Sequence, residues 1–147
     1  MVKYIDILKA INKVLENNFS NVPILSEKDV EEKIIRPSFM VSMDNISSNN
    51  FMNAVIDKSV TIRIYYFPSN KYKYKIENLN MIDRLNELFV ENEILKLENF
   101  SMLLSSEIST DMVQSVLNYN FEIEFSENII RDYPNVEIME DLETNID

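Results

Sequence analysis

Few residues in this chain have the type and spacing to carry chemistry. Glu122 and Glu124 lie two apart in Phe121-Glu122-Ile123-Glu124-Phe125, which puts both carboxylates on one side of an extended strand. A hydrolytic carboxylate pair needs its two groups across a cleft in unlike environments, one poised as acid and the other as base or nucleophile. Two neighbours on one strand face fit a solvated surface, or a contact with a basic partner. Glu27, Asp29, Glu31 and Glu32 form a second acidic group. It lacks the ligand spacing and turn glycine of a calcium loop and reads as a charged surface segment. The run Lys71-Tyr72-Lys73-Tyr74-Lys75 alternates bases with aromatics, a pattern that can hold phosphates and stack bases. The competing reading is a solvated lead-in to a helix, its tyrosines packed on the domain. The acidity of the remaining chain favours that second reading.

The absences narrow the chemistry further. The 147 residues include no His, no Cys and no Gly. The commonest general base and metal ligand is gone, and with it thiolate nucleophiles and cysteine-built zinc sites. Glycine-rich phosphate loops and the serine-hydrolase elbow are excluded too. No catalytic, cofactor or metal residue is expected, and a carboxylate hydrolase built on Glu122 or Glu124 is the only enzymatic alternative. Without Gly, left-handed turn positions must fall to residues such as Asn or Asp, and the chain supplies nineteen Asn.

Charge is uneven along the chain. Residues 1–75 carry eleven Lys/Arg against eight Asp/Glu and residues 76–147 carry three against seventeen, for a net charge of −11. Such acidity argues against nucleic-acid binding as the main task. If the two halves face different ways, one copy's basic side can meet the next copy's acidic side, a heterologous contact that closes into a ring when the rotation permits. The other reading is an acidic surface with no partner. No apolar run is long enough to span a bilayer, and the charged N-terminus is unlike a signal peptide, so synthesis in the cytoplasm is expected.

The elements that must position these residues follow from periodicity. Residues 3–18 predict an amphipathic helix with Tyr4, Ile7, Leu8, Ile11, Val14 and Leu15 on one face, stopping at Asn17-Asn18. Residues 22–25 predict a short edge strand, since Pro23 cannot donate to a ladder. The acidic stretch from Ser26 is either one helical turn or irregular, and ends by Pro37. Phe39, Val41 and Met43 alternate in a strand, residues 44–53 read as a loop, and Val60, Ile62, Ile64 and Tyr66 alternate with Thr61, Arg63 and Tyr65 in a second strand. Together they make a hairpin with an extended tip at about 44–58. A second helix over 76–91 has the stripe Ile76, Leu79, Ile82, Leu85, Leu88 and Phe89. Short strands are expected at 93–98 and around Phe100, Met102 and Leu104, with a turn at Ser109-Thr110-Asp111. The clearest strand is 116–125, with Leu117, Tyr119, Phe121, Ile123 and Phe125 facing one way and Asn118, Asn120, Glu122 and Glu124 the other.

These elements predict an α+β fold: a two-layer domain with a mostly antiparallel sheet of five or six strands and two main helices on one face. The domain is expected over 1–130. A mobile acidic tail is expected over 131–147, where residues 137–147 hold five acidic residues and no basic one. Within the hairpin tip, Ile46, Phe51, Met52, Val55 and Ile56 are large apolar residues in polar surroundings. They mark a partner surface if exposed, and the alternative is that the strands run further and these residues join the core. With Arg63, Glu122 and Glu124 they form the candidate interface.

The chain resembles a known family at several places. After the N-terminal helix come Ile24-Leu25-Ser26-Glu27, Val30-Glu31 and Pro37-Ser38-Phe39. Then come Ile64-Tyr65-Tyr66-Phe67-Pro68, a helix, and Val116-Leu117-Asn118-Tyr119 opening the last strand. Over roughly residues 3–126 this resembles the tail terminator family of phages and phage-like particles of Gram-positive bacteria. Where members often show Gln-Gly, this chain has Glu32-Lys33, a departure that alters a turn. The resemblance implies a structural protein of the virion at the tail–neck junction, with no enzymatic activity. It implies a ring of copies, typically six, that sits on the tail tube, ends its growth and offers a surface to the head connector. In contractile particles the ring also meets the sheath. DNA would only pass through the lumen, and no membrane is involved. The competing assignment is another neck component, a head-closure or tail-completion protein.

Overall fold

The computed structural model describes residues 1–104 and 107–130. The acidic segment 131–147 expected to form a tail lies outside the described residues.

Helix α1 spans Tyr4–Asn18 and buries Ile7, Ala10, Ile11 and Leu15. Its end is set by Asn18, whose side-chain Nδ2 donates to the Val14 carbonyl at 2.8 Å. Strand β1, Ile24–Leu25, pairs in parallel with the start of β2. The acidic stretch resolves as a six-residue helix, α2, Glu27–Glu32. Ser26 and Asp29 close a reciprocal capping box: the Asp29 N–H donates to Ser26 Oγ and the Ser26 N–H donates to the Asp29 carboxylate. That backbone N–H, then the Ser26 hydroxyl, hold the Asp29 carboxyl below its ordinary value.

Strands β2, Ser38–Phe51, and β3, Val55–Phe67, form a long antiparallel hairpin. Helix α3, Lys75–Asn86, runs into a π-helical turn at Glu87–Glu91. A two-stranded ribbon follows, β4 Ile94–Lys96 with β5 Ser101–Leu103. Strands β6, Ile108–Val113, and β7, Val116–Asn128, complete a five-stranded sheet in the order β1-β2-β3-β7-β6. Every pairing in it except β1–β2 is antiparallel. Helices α1 and α3 contribute to one core with the same sheet face, through Ile11, Leu15, Met81 and Leu85 against Val60, Ile62, Ile64, Leu117 and Tyr119. Aromatic rings pack at its two sides: Phe39 lies 5.2 Å from both Phe19 and Tyr66, and Phe89 lies 5.2 Å from Phe121. The α+β architecture read from periodicity is the one observed.

Three local expectations fail. Residues 44–53 are not a loop, because β2 continues to Phe51 and the reversal is confined to Met52-Asn53-Ala54. Met52 and Asn53 both have positive φ, and Ala54 N–H donates to the Phe51 carbonyl at 3.1 Å, a tight turn within the three-residue connection between the paired Phe51 and Val55. Ser109-Thr110-Asp111 is not a turn but the middle of β6; the reversal lies at Gln114-Ser115, with Gln114 at φ 59°. The stripe on α3 is out of phase. Leu85 and Phe89 are buried and Ile82 and Leu88 half-buried, but Ile76 and Leu79 face solvent while Asn78 and Met81 are buried. Asn78 Nδ2 donates to the Ser115 carbonyl at 3.1 Å, pinning α3 to the β6–β7 turn. Glu77 adds a second pin at the helix start, accepting from the Tyr66 hydroxyl at 2.7 Å and from the Ser69 N–H at 2.9 Å.

Candidate assembly surface

The sheet outruns its helical cover at one position. Register is continuous from Ser38↔Phe67 to Asp44↔Thr61, then shifts to Ser47↔Ser59. Asn45 and Ile46 therefore stand against Val60 alone, a β-bulge with Asn45 in the left-handed region at φ 50°. With no glycine in the chain, Asn is the residue that takes this conformation at least cost. Past the bulge, β2, β3 and the end of β7 project as a three-stranded arm, held to its tip by Ile129 N–H donating to the Ala54 carbonyl at 2.8 Å.

The pairing assigns a face to each candidate residue except Ile46 in the bulge and Met52 in the turn. Phe51 and Val55 share the face away from the helices with Asp57, Ser59, Glu122 and Glu124. Ile56 lies on the helix side with Ser48 and Lys58, and Ser48 Oγ is 3.1 Å from the Tyr4 hydroxyl. Ile46, Phe51 and Met52 are 52%, 56% and 81% exposed, and Val55 and Ile56 are half-buried. So the strands do extend further than the turn-rich sequence suggests, yet these residues do not join the core. Arg63 sits on the open face opposite Asn120, and its Nε lies 2.7 Å from Asp44 Oδ2. Glu122 and Glu124 stand exposed side by side opposite Thr61 and Ser59. They share no cleft of the kind a hydrolytic pair needs. A depression of about 410 Å³ on this face, lined by residues including Ser47, Asp57, Ser59 and Glu124, is open and polar.

The base of the arm is fastened from the helix side. Lys58 is buried, with Nζ 2.7 Å from Glu127 Oε2 and 5.7 Å from both the Tyr4 and Phe125 ring centroids. Glu127 also accepts the Val2 N–H. Burial raises the Glu127 carboxyl, but the bond from Lys58 and that from Val2 outweigh it and leave it below its ordinary value.

A second surface escaped the sequence pattern. Ahead of and along the first turns of α3, Tyr72, Ile76 and Leu79 are 82%, 76% and 51% exposed, beside exposed Lys71, Lys73 and Lys75. Met81 and Asn78, at a competing helical phase, were the available signal. Among the described residues no cluster of His, Cys, Asp or Glu could hold a metal ion, and no helix is long and apolar enough to cross a membrane.

Comparison with known families gives one result. A family model described as phage tail terminator protein matches residues 6–135, most of the chain and all of its sheet. No curated protein matches.

Proposed function

Because this chain belongs to the phage tail terminator family, whose members are structural tail proteins, we propose that it assembles with copies of itself into a ring that caps the tail tube. In this reading the ring, a hexamer, ends tube polymerisation at the tail–neck junction and presents a surface to the head connector, and to the sheath where the tail contracts. DNA crosses the lumen without being gripped, in keeping with the net charge of −11.

The observation that carries this reading is the projecting arm. Three paired strands leave the core, with exposed Ile46 at their base and exposed Phe51 and Met52 at their tip. Exposed large apolar side chains on a rigid projection mark a protein contact. The base of that projection is fixed by the Lys58–Glu127 pair, which holds the arm ready to meet a neighbour or the tube.

Replacing residues 51–55 by Asn-Gly shortens the arm without touching the core. The expected product is a folded monomer with wild-type circular dichroism that forms no rings by negative-stain microscopy, alone or with tube protein. Rings indistinguishable from wild type would refute the role given to the arm.

A further inference from the structure

The arm needs a receiving surface on its neighbour, and we propose that a second copy of this chain receives it on the lysine–tyrosine surface at the start of α3. The proposal rests on the ring reading and names the contact within it. The two surfaces lie at opposite ends of the same strands. Strand β3 begins beside the arm tip, where Val55 pairs with Asn128, and ends at Phe67 beside the loop that leads into α3. Its thirteen residues span about 43 Å.

The two ends are complementary in charge and alike in apolar content. The α3 end carries exposed Lys71, Lys73 and Lys75 around exposed Tyr72, Ile76 and Leu79. Glu77, the carboxylate in the first turn of α3, is occupied by Tyr66 and Ser69, and the next, exposed Asp83, lies one turn beyond Leu79. Acidic α2 follows β1 at the sheet edge, with β2 between it and β3, and the residue that reaches the end of β3 from that side is the cation Arg36, donating to the Pro68 carbonyl at 3.2 Å. The arm carries exposed Asp57 and, at its base, exposed Glu124 on the same open face as exposed Phe51; Glu122 continues that acidic row opposite Thr61, just inside the bulge, and the arm's lysine, Lys58, is buried and paired. Either end meeting its own kind would oppose like charges, so a two-fold contact is disfavoured. Arm to lysine surface is attractive, and it is heterologous, the kind of contact that closes rings.

Reciprocal charge reversal tests this in the full chain. K71E/K73E/K75E should fold as wild type, judged by its thermal melt, and should raise the concentration for half-assembly on the order of a hundredfold. E122K/E124K should fail in the same way. Combining all five substitutions in one chain, or mixing the two variants in equal amounts so that they alternate, should restore rings by sedimentation velocity. The contact is overturned if the triple-lysine variant assembles like wild type, or if neither the combined variant nor the mixture recovers. It is also overturned if the triple variant loses only retention of duplex DNA, which would make the lysines a nucleic-acid surface. A wild-type chain that stays monomeric at every concentration would sink the ring reading itself, and this contact with it.

Discussion

The same three strands have opposite characters on either side of Asn45. On the helix-covered side, Phe39, Ile62, Ile64, Leu117 and Tyr119 are wholly buried, and the pairing β2-β3-β7 is roofed by α1 and α3. On the other side the ladder resumes after the bulge at Ser47↔Ser59 and runs to Phe51↔Val55 and Val55↔Asn128, yet Ile46, Phe51 and Met52 stand more than half exposed. Backbone hydrogen bonding does not distinguish the halves, because both have it. What differs is cover. An apolar residue in the first half stabilises the monomer, whereas one in the second half costs solubility unless a partner covers it.

The largest effect that separates the halves is a matched pair of truncations. Phe39 is fully buried between Phe19 and Tyr66, so Phe39→Ala should cost about 3–5 kcal/mol in urea unfolding. Phe51→Ala, at an exposed site, should change stability by less than about 0.5 kcal/mol while weakening ring formation. If Phe51→Ala unfolds the monomer as severely as Phe39→Ala, the arm is core and the comparison fails.

The next effect concerns the fastening between the halves. Glu127→Gln leaves the Lys58 ammonium buried without its counter-charge and should cost about 3 kcal/mol. Replacing both partners, K58M/E127L, should cost less, because no charge is stranded. The pH dependence has a definite sign. Glu127 is held below its ordinary value of 4.5 in the folded chain, so its contribution is present above that pH and is lost as pH falls through the folded value. Glu77 adds in the same direction: burial raises its carboxyl, but Ser69 and Tyr66 outweigh this and hold it low. Urea midpoints measured across the acid limb should therefore fall more steeply for wild type than for Glu127→Gln. Parallel curves would show that the pair does not couple the arm to the body.

This division also explains what the sequence made legible. Where a strand has one buried and one wet face, side chains must alternate, so Val60 to Tyr66 and Leu117 to Ile123 could be read directly. Past Asn45 cover is thin, with Tyr4 reaching Ser48 and Lys58 on the helix side, so alternation is only weakly enforced, and Asp44-Asn45-Ile46-Ser47-Ser48-Asn49-Asn50 looks like a loop although all of it but the bulge residues Asn45 and Ile46 is laddered. The five apolar residues of the tip were visible as anomalous; their arrangement on two faces and a turn was not. On α3, hydropathy alone placed Ile76 and Leu79 inward. The buried phase is instead set by a polar residue, Asn78, whose reason for burial is the Ser115 carbonyl on a distant turn. A stripe rule weighs apolar residues and cannot see a hydrogen-bond partner. The lysine–tyrosine run is plain in the sequence, but the apolar residues that make it a surface, Ile76 and Leu79, are assigned inward by that misphased stripe.

The smallest predicted effect bears on the dividing line itself. Asn45 adopts φ 50° at the bulge where the roofed half ends. Asn45→Gly keeps that conformation available and should change stability by less than about 0.5 kcal/mol. Asn45→Val places a β-branched residue in the left-handed region and should cost about 1–2 kcal/mol. If the bulge is a boundary between two regimes, this cost falls on the arm alone. Hydrogen exchange should quicken for amides at 47–50 and 56–59, beyond the bulge, and remain unchanged for those at 62–66 and 117–121 under the helices. Equal acceleration on both sides would mean that the strands respond as one cooperative unit. In that case the exposed apolar tip belongs to a sheet whose stability reaches its end, and the bulge re-aims side chains without separating a core from an arm.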